Sequence, residues 1–309
     1  MKLFVPALAL AALCAASVPA HGYFELTSAG ARVVALGPSA MGVVDDVSAY
    51  HWNPAALASL SGPELLLDSS KPYGVDNLTE NAIAAGMKAW GTGWAFAWHR
   101  TGVADVYAED QFCAAAGRTL VRTEGGSQLD AGATFIFGRA AFQPFAVPGA
   151  GTAEYGSLSK GSFDVAARWR TPWKMDVSWL ARDILQPRYE FVIGSGGDPQ
   201  KVHHEVAAAF RWNRESTLNA GWAQGARGRA TISAGLEILF FDVFAIRSGL
   251  SNLASTYEAT TSPNELQFSG GFGVFHRGYF IDAAAGTHHD LGASYRVSFR
   301  FRPRGPAGR

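Results

Sequence analysis

Cysteine is nearly missing from the 309-residue sequence, which holds two. Cys14 falls in a leader-like stretch, so Cys113 would stand alone in the processed chain and no intrachain disulfide could staple it. An excess of one charge is missing too. Twenty-six basic residues face 26 acidic ones, and loss of Lys2 with the leader leaves the chain one unit negative, which excludes a general attraction to nucleic acid. After Ala20 no stretch reaches the ~18 uninterrupted apolar residues of a membrane-crossing helix. The motifs that organise catalysis are also lacking: there is no Gly-Xaa-Ser-Xaa-Gly elbow, Walker loop, dinucleotide fingerprint or His-Glu-Xaa-Xaa-His helix. The glycine-rich run at 194–197 has no helix signal after it and reads as a loop. Neither an enzyme nor a cofactor is expected.

What is present begins with Lys2, an apolar stretch from Leu3 to Ala16 and a Val18-Pro19-Ala20 ending, the layout of a cleaved secretory signal over residues 1–20. The processed chain would start at His21. From Leu65 onward side chains alternate with period 2, in segments of about the 9–11 residues that a tilted strand needs to cross a bilayer. Trp94, Phe96 and Trp98 oppose Ala95, Ala97 and His99; Phe163, Val165, Ala167 and Trp169 oppose Ser162, Asp164, Ala166 and Arg168. Leu291, Ala293, Tyr295, Val297, Phe299 and Phe301 oppose Gly292, Ser294, Arg296, Ser298, Arg300 and Arg302. Gly91-Thr92-Gly93, Gly125-Gly126, the 225–228 stretch and Arg277-Gly278 supply hairpin turns, while 148–161, 194–199 and 254–264 read as longer loops.

A soluble sandwich with this many strands would need a charged outer face, yet the polar face is rich in Ala, Gly and Ser. The pattern predicts an all-β fold: a closed transmembrane antiparallel β-barrel of about 14 strands over residues 63–302, followed by a tail at 303–309. Its location would be a Gram-negative-type outer membrane, with membrane lipid against the apolar faces. Trp90, Trp94, Tyr107, Trp173, Trp179, Trp212, Trp222 and Tyr279, near segment ends, would form interfacial girdles.

Between residues 21 and 62 the alternation stops. Small residues dominate around Gly30-Ala31-Arg32, Asp45-Asp46 follows, and Trp52-Asn53-Pro54-Ala55 closes the stretch, with Asn53 held out of helical geometry by Pro54. These residues, in this order, resemble the opening of PorV/PorQ-type proteins, a branch of the FadL-like outer-membrane barrels. The segments 245–250, 280–284 and 291–299 resemble the same family's closing strands, whereas the middle carries only the general strand pattern. The resemblance implies that residues 21–62 fold inside the barrel as a plug or hatch, with Asn53, Pro54 and Ala55 matching the shared element. Pro38-Ser39 departs from the family's usual Met or Gly, and the chain continues beyond Phe301, where a terminal aromatic is expected.

Arg168, Arg170, Arg211, Arg247, Arg296 and Arg300 fall on inward positions, with Asp164, Glu205, Glu237 and Asp282 as mates, because buried charges need partners. Inward arginines argue for a wet lumen. His203-His204-Glu205 and His288-His289-Asp290 are poor metal sites, since neighbouring strand residues face opposite ways, and no metal is expected. Asp45 and Asp46 read as hydrogen-bond acceptors or ion-pair partners. Three roles remain open: an accessory of protein export, working with secretion machinery or exported proteins, as the resemblance implies; a FadL-like passage for hydrophobic small molecules; and a structural barrel with a filled interior.

Overall fold

The computed structural model describes residues 24, 28–147, 151–191, 198–224, 230–252, 266–288 and 291–303. The leader, the 225–228 turn, the 254–264 loop, His289-Asp290 and most of the tail lie outside these residues. Fourteen antiparallel strands close into one barrel. They are β1 (Glu64–Lys71), β2 (Leu78–Ala89), β3 (Thr92–Val103), β4 (Tyr107–Arg122), β5 (Gln128–Phe142), β6 (Ser157–Arg170) and β7 (Met175–Arg182), followed by β8 (His203–Arg211), β9 (Ser216–Gln224), β10 (Ala230–Phe240), β11 (Phe244–Ser251), β12 (Gln267–His276), β13 (Tyr279–His288) and β14 (Gly292–Phe301). Closure comes from β14 pairing with β1, Leu65 opposite Phe301 through Lys71 opposite Tyr295. The first and last strands are left with no open edge.

Strand lengths run from 8 residues in β1 to 16 in β4, a wider spread than the 9–11 expected. One rim carries tight turns. Trp90-Gly91 and Arg277-Gly278 both hold two successive positive φ angles, the geometry that matches strand twist in a two-residue hairpin. Thr92 and Gly93, expected in the first of these turns, are instead the opening residues of β3. The opposite rim carries the longer connections at 143–156 and 183–202, each holding a small two-stranded hairpin.

The period-2 pattern sorts the two faces. On the outside, neighbouring strands line up level rows: Leu67, Ile83, Trp98, Phe112 and Phe137 in one, Leu65, Ala85, Phe96, Ala114, Phe135 and Phe163 in the next. Phe96 is 64% exposed and Phe135 52%. One row nearer the long loops the outer face turns polar, through Ser69, Asn81, Arg100, Asp110, Arg139 and Ser159. Tyr107, expected in an outer girdle, lies on the inner face instead, where its hydroxyl donates to Glu109 (2.6 Å).

Residues 28–62 occupy the barrel interior as short helical turns. Helix α1 (Ala31–Leu36) lies between Gly30 (φ 82°) and Gly37 (φ 79°), both in the left-handed region that glycine enters without strain. A 3-10 turn follows at Pro38–Gly42, then α2 (Ala49–Trp52), then a second 3-10 turn at Pro54–Ser59. Asn53 is extended (φ −166°), as a residue before proline prefers, and Pro54 opens the turn where its missing N–H is not needed. The Ala, Gly and Ser of the inner wall make room for this segment. A Cβ on Gly93 would stand 1.9 Å from the Leu57 carbonyl oxygen, one on Gly117 2.2 Å from that of Pro54, and one on Gly235 2.3 Å from that of Leu36. Any larger residue there would displace the segment's backbone.

Candidate functional site

The interior is where apolar packing and ionisable groups converge. Val33, Leu36, Val43, Val44, Val47, Tyr50, Leu57 and Leu60 of the inner segment form one buried cluster with Leu66, Ala84, Ala95, Ala97, Cys113, Ala115 and Ala209 of the wall. Apart from Leu66, the buried wall residues of this cluster are small, and the larger side chains of the segment fill the space they leave.

Charges are placed around this core and neutralised in place. Arg32 of α1 grips Glu237 of β10 through two nitrogens (3.0 Å each) and Asp45 through a third (2.6 Å). Arg247 of β11 joins Glu237 (2.6 Å) to Asp282 of β13 (2.6 Å). Arg296 of β14 is paired with Asp68 and Glu80 and donates to the Ser28 carbonyl (3.2 Å). Arg300 meets Asp46 (3.3 Å) and Glu64 (3.8 Å), and Glu64 also accepts from the Val47 amide (3.0 Å). Arg168 of β6 binds Asp130 (2.9 Å) and reaches the Val44 carbonyl (3.3 Å). Arg182 of β7 links Glu205 (2.6 Å), Asp164 (3.3 Å) and the His51 carbonyl (2.9 Å). Such charges cost several kcal/mol to bury and persist because each has a partner.

Asp46 sits where the segment meets the wall. Burial alone would raise its pKa, but Arg300 and Arg32, with the Ser48 amide (2.9 Å) and hydroxyl (2.5 Å), hold its carboxyl well below the ordinary range. Burial, with Arg182 beside it, lowers the pKa of His51 well below the usual value. Tyr50 is hydrogen-bonded to His99 of β3, and its carbonyl accepts from Thr134 of β5 (2.6 Å).

Of the residues singled out from the sequence, Gly30, Ala31, Arg32, Asp46, Trp52, Asn53, Pro54 and Ala55 lie in the inner segment against the wall, whereas the Asp45 side chain is 56% exposed. The Ala31 amide donates to Ser298 (2.9 Å), and Trp52 donates to the Ala29 carbonyl (2.6 Å). Asn53, fully buried, donates to the Met41 carbonyl (3.1 Å) and to Ser178 of β7 (2.9 Å). Arg168, Arg247, Asp282 and Arg296 are buried on the inner face; Arg211 pairs with Asp176 (2.8 Å) at the short-turn rim with its side chain 47% exposed. The expectation of a wet lumen is corrected: the inward arginines are consumed by carboxylates and by backbone carbonyls of the inner segment. Sequence reasoning missed Asp68, Glu80, Asp130, Arg182 and His99. Their inward parity was readable in the alternation, but which charges met was not.

Among the described residues no three His, Cys, Asp or Glu side chains are grouped to hold a metal ion. His203 faces Glu205 (3.4 Å), while His204 stacks on Trp179 at 5.9 Å between ring centres, as opposite faces of one strand require.

The barrel has the fold of FadL-like outer-membrane proteins. Its backbone is similar to the crystal structure of a Pseudomonas aeruginosa FadL homologue (TM-score 0.58, 12% identity, 91% of this chain and 99% of that one). It is similar also to the Ralstonia pickettii toluene transporter TbuX (0.57, 10%, 91% and 100%) and the Pseudomonas putida toluene transporter TodX (0.58, 9%, 91% and 98%). No protein-family model matches the sequence, and no curated protein matches it. At 9–12% identity the likeness concerns the fold.

Proposed function

We propose that the chain is an exported, non-enzymatic outer-membrane barrel of PorV/PorQ type, closed by residues 21–62 as a plug, that serves protein export as a docking accessory for secretion machinery or exported proteins. The observation that carries this reading is the occupied interior: ion pairs and close backbone contacts tie the inner segment to strands on every side, which suits a closed docking body better than an open pore. Membrane insertion is supported by the outer rows. From Asp110 to Arg118 along β4 is ~27 Å at ~3.4 Å per residue. Tilted by ~40°, that becomes roughly 20 Å, near the ~25 Å apolar band of such barrels. In planar bilayers the chain begun at His21 is expected to pass little ion current and the same chain lacking residues 21–62 to conduct steadily. Steady conductance by both would remove the plug from this reading. Co-purification of a larger translocon or exported protein from gently solubilised native membranes tests the accessory role; recovery of the barrel alone would count against it.

A second reading, passage of hydrophobic small molecules, is favoured by the fold likeness to two toluene transporters. It requires the ion pairs of Arg32 and Asp46 to open during passage. Uptake of labelled toluene into proteoliposomes no faster than into empty vesicles would end it.

A further inference from the structure

One strand of the wall outlasts its neighbour. β5 accompanies β6 throughout, from Gln128 opposite Arg170 to Ala141 opposite Ser157, whereas β7 pairs with it only from Asp176 opposite Arg170 to Ala181 opposite Val165. A single further bond follows, from the Ile184 amide to the Phe163 carbonyl (3.0 Å). Beyond Arg182 the chain leaves the wall. Asp183 takes a positive φ (54°), its amide donates to the Asp164 carboxylate (2.9 Å), and Tyr189 ends buried with Phe24 and Ala140 in the interior. Residues 157–161 of β6 therefore have no strand on that flank among the described residues.

In an antiparallel sheet the N–H and C=O of one residue point to the same neighbour, and successive residues alternate sides. The Gly156 carbonyl accepts from Phe142 of β5 (3.0 Å) and the Phe163 carbonyl points the other way, which assigns the amides and carbonyls of Ser157, Ser159 and Gly161 to the empty flank. None of them has a hydrogen-bond partner among the described residues. They repeat over ~14 Å at ~3.4 Å per residue, a spacing that an extended polypeptide matches. The flank starts in the last apolar row, where Gly161 stands opposite Phe137, and continues into the polar row at the exposed Ser159. The row of large outer side chains thus ends on a bare glycine, where a Cβ would lie 3.6 Å from the Phe135 ring and meet nothing closer. Unpaired amides at the border of the hydrocarbon are costly, and neither a proline nor a bulge blunts this edge.

We propose that this flank of β6 is a docking edge that receives an extended segment of another polypeptide as an added strand. The segment runs antiparallel to β6, with a large apolar side chain over Gly161 beside Phe135 and Phe137, and small or polar ones beside Ser159 and Ser157. Its residues opposite these three share their outer face and turn their own amides toward β6. The inference rests on the accessory reading only for the origin of the segment. A peptide and the purified chain can fail to bind while a translocon still co-purifies, and the reverse, so the two failures are distinguishable.

The test uses the full chain begun at His21 in lipid nanodiscs and the peptide acetyl-Ser-Phe-Ser-Thr-Ser-Val-Ser with a C-terminal fluorescein, followed by fluorescence anisotropy with empty nanodiscs as the blank. Saturable binding is expected. N-methyl groups on the phenylalanine, threonine and valine amides remove the hydrogen bonds to the edge and are expected to weaken binding by about tenfold or more. N-methyl groups on the interior serine amides, which point away, are expected to change it less than about twofold. Ser159→Pro removes an N–H that bonds nothing in the free barrel, a change edge strands tolerate, and is expected to weaken binding about fivefold. Ser159→Ala keeps that N–H and is expected to leave binding unchanged. Absence of saturable binding, equal weakening by the two methylation patterns, or equal binding by Ser159→Pro and Ser159→Ala would each overturn the site. A full chain that is dimeric in detergent until Ser159→Pro separates it would give the edge to a second copy and overturn the proposed partner.

Discussion

The two faces of the barrel wall are built on the same strands, yet they differ as much in residue size as in polarity. Outward positions carry Phe96, Phe112, Phe135, Phe137 and Ile83, large and exposed; inward positions carry Ala84, Ala95, Ala97, Ala115 and the glycines at 93, 117, 132 and 235. A water-filled lumen would ask only for polarity. Small size is demanded by something that must be approached closely, and the backbone of residues 28–62 is that object. A face that meets a fluid tolerates bulk, whereas a face that meets a folded chain is fitted to it.

The sharpest way to break that contrast is to unbalance the inner face. Asp46→Asn leaves Arg300 facing only Glu64 at 3.8 Å and is expected to cost about 3–5 kcal/mol, the range for a broken buried pair, read as a lower urea midpoint in detergent. Next is the outer face. Phe135→Lys is expected to lose about 2–4 kcal/mol if that row sits in mid-hydrocarbon, whereas Ser159→Lys in the polar row loses about 0–1, both measured by reversible unfolding from lipid vesicles. A smaller effect is expected from Gly132→Ala, which sets a Cβ 2.3 Å from the Pro54 carbonyl carbon and should cost about 1–3 kcal/mol, while Phe135→Leu on the same strand stays near the lower end. Acidification should matter least. The folded pKa of Asp46 is depressed, so its stabilisation is complete above the ordinary carboxylate value of about 4 and is lost only as pH falls toward the lowered one. Protease sensitivity of the inner segment is not expected to rise between pH 7 and pH 5; a rise over that window would place another group in control.

The barrel was legible because a half-apolar strand writes its two faces as alternate letters, and the segments of β3, β6 and β14 did so over six or more residues. Counting those runs gives between 14 and 16 strands, and the closed barrel has fourteen. The stretch ahead of β1 offered less: its short turns carry no long period, and Pro54 marks only one boundary. The ion-pair map was out of reach because partners such as Arg296 and Asp68 lie 228 positions apart and are joined only when the last strand closes on the first. Gly93 shows the same limit. Beside Gly91 it reads as turn chemistry, and only the approach of Leu57 reveals that its missing side chain is what matters.

Cys113 offers the most direct measurement, being 7% exposed on the inner face within the cluster formed by Tyr50 and Leu57. In the chain begun at His21 it is the one remaining thiol, and its reaction with a water-soluble, membrane-impermeant maleimide reports whether the interior is occupied. The thiol should stay unlabelled in the full chain and react readily once residues 21–62 are removed. Rapid labelling of the full chain would mean that the inner face meets water and not the chain's own N-terminal segment.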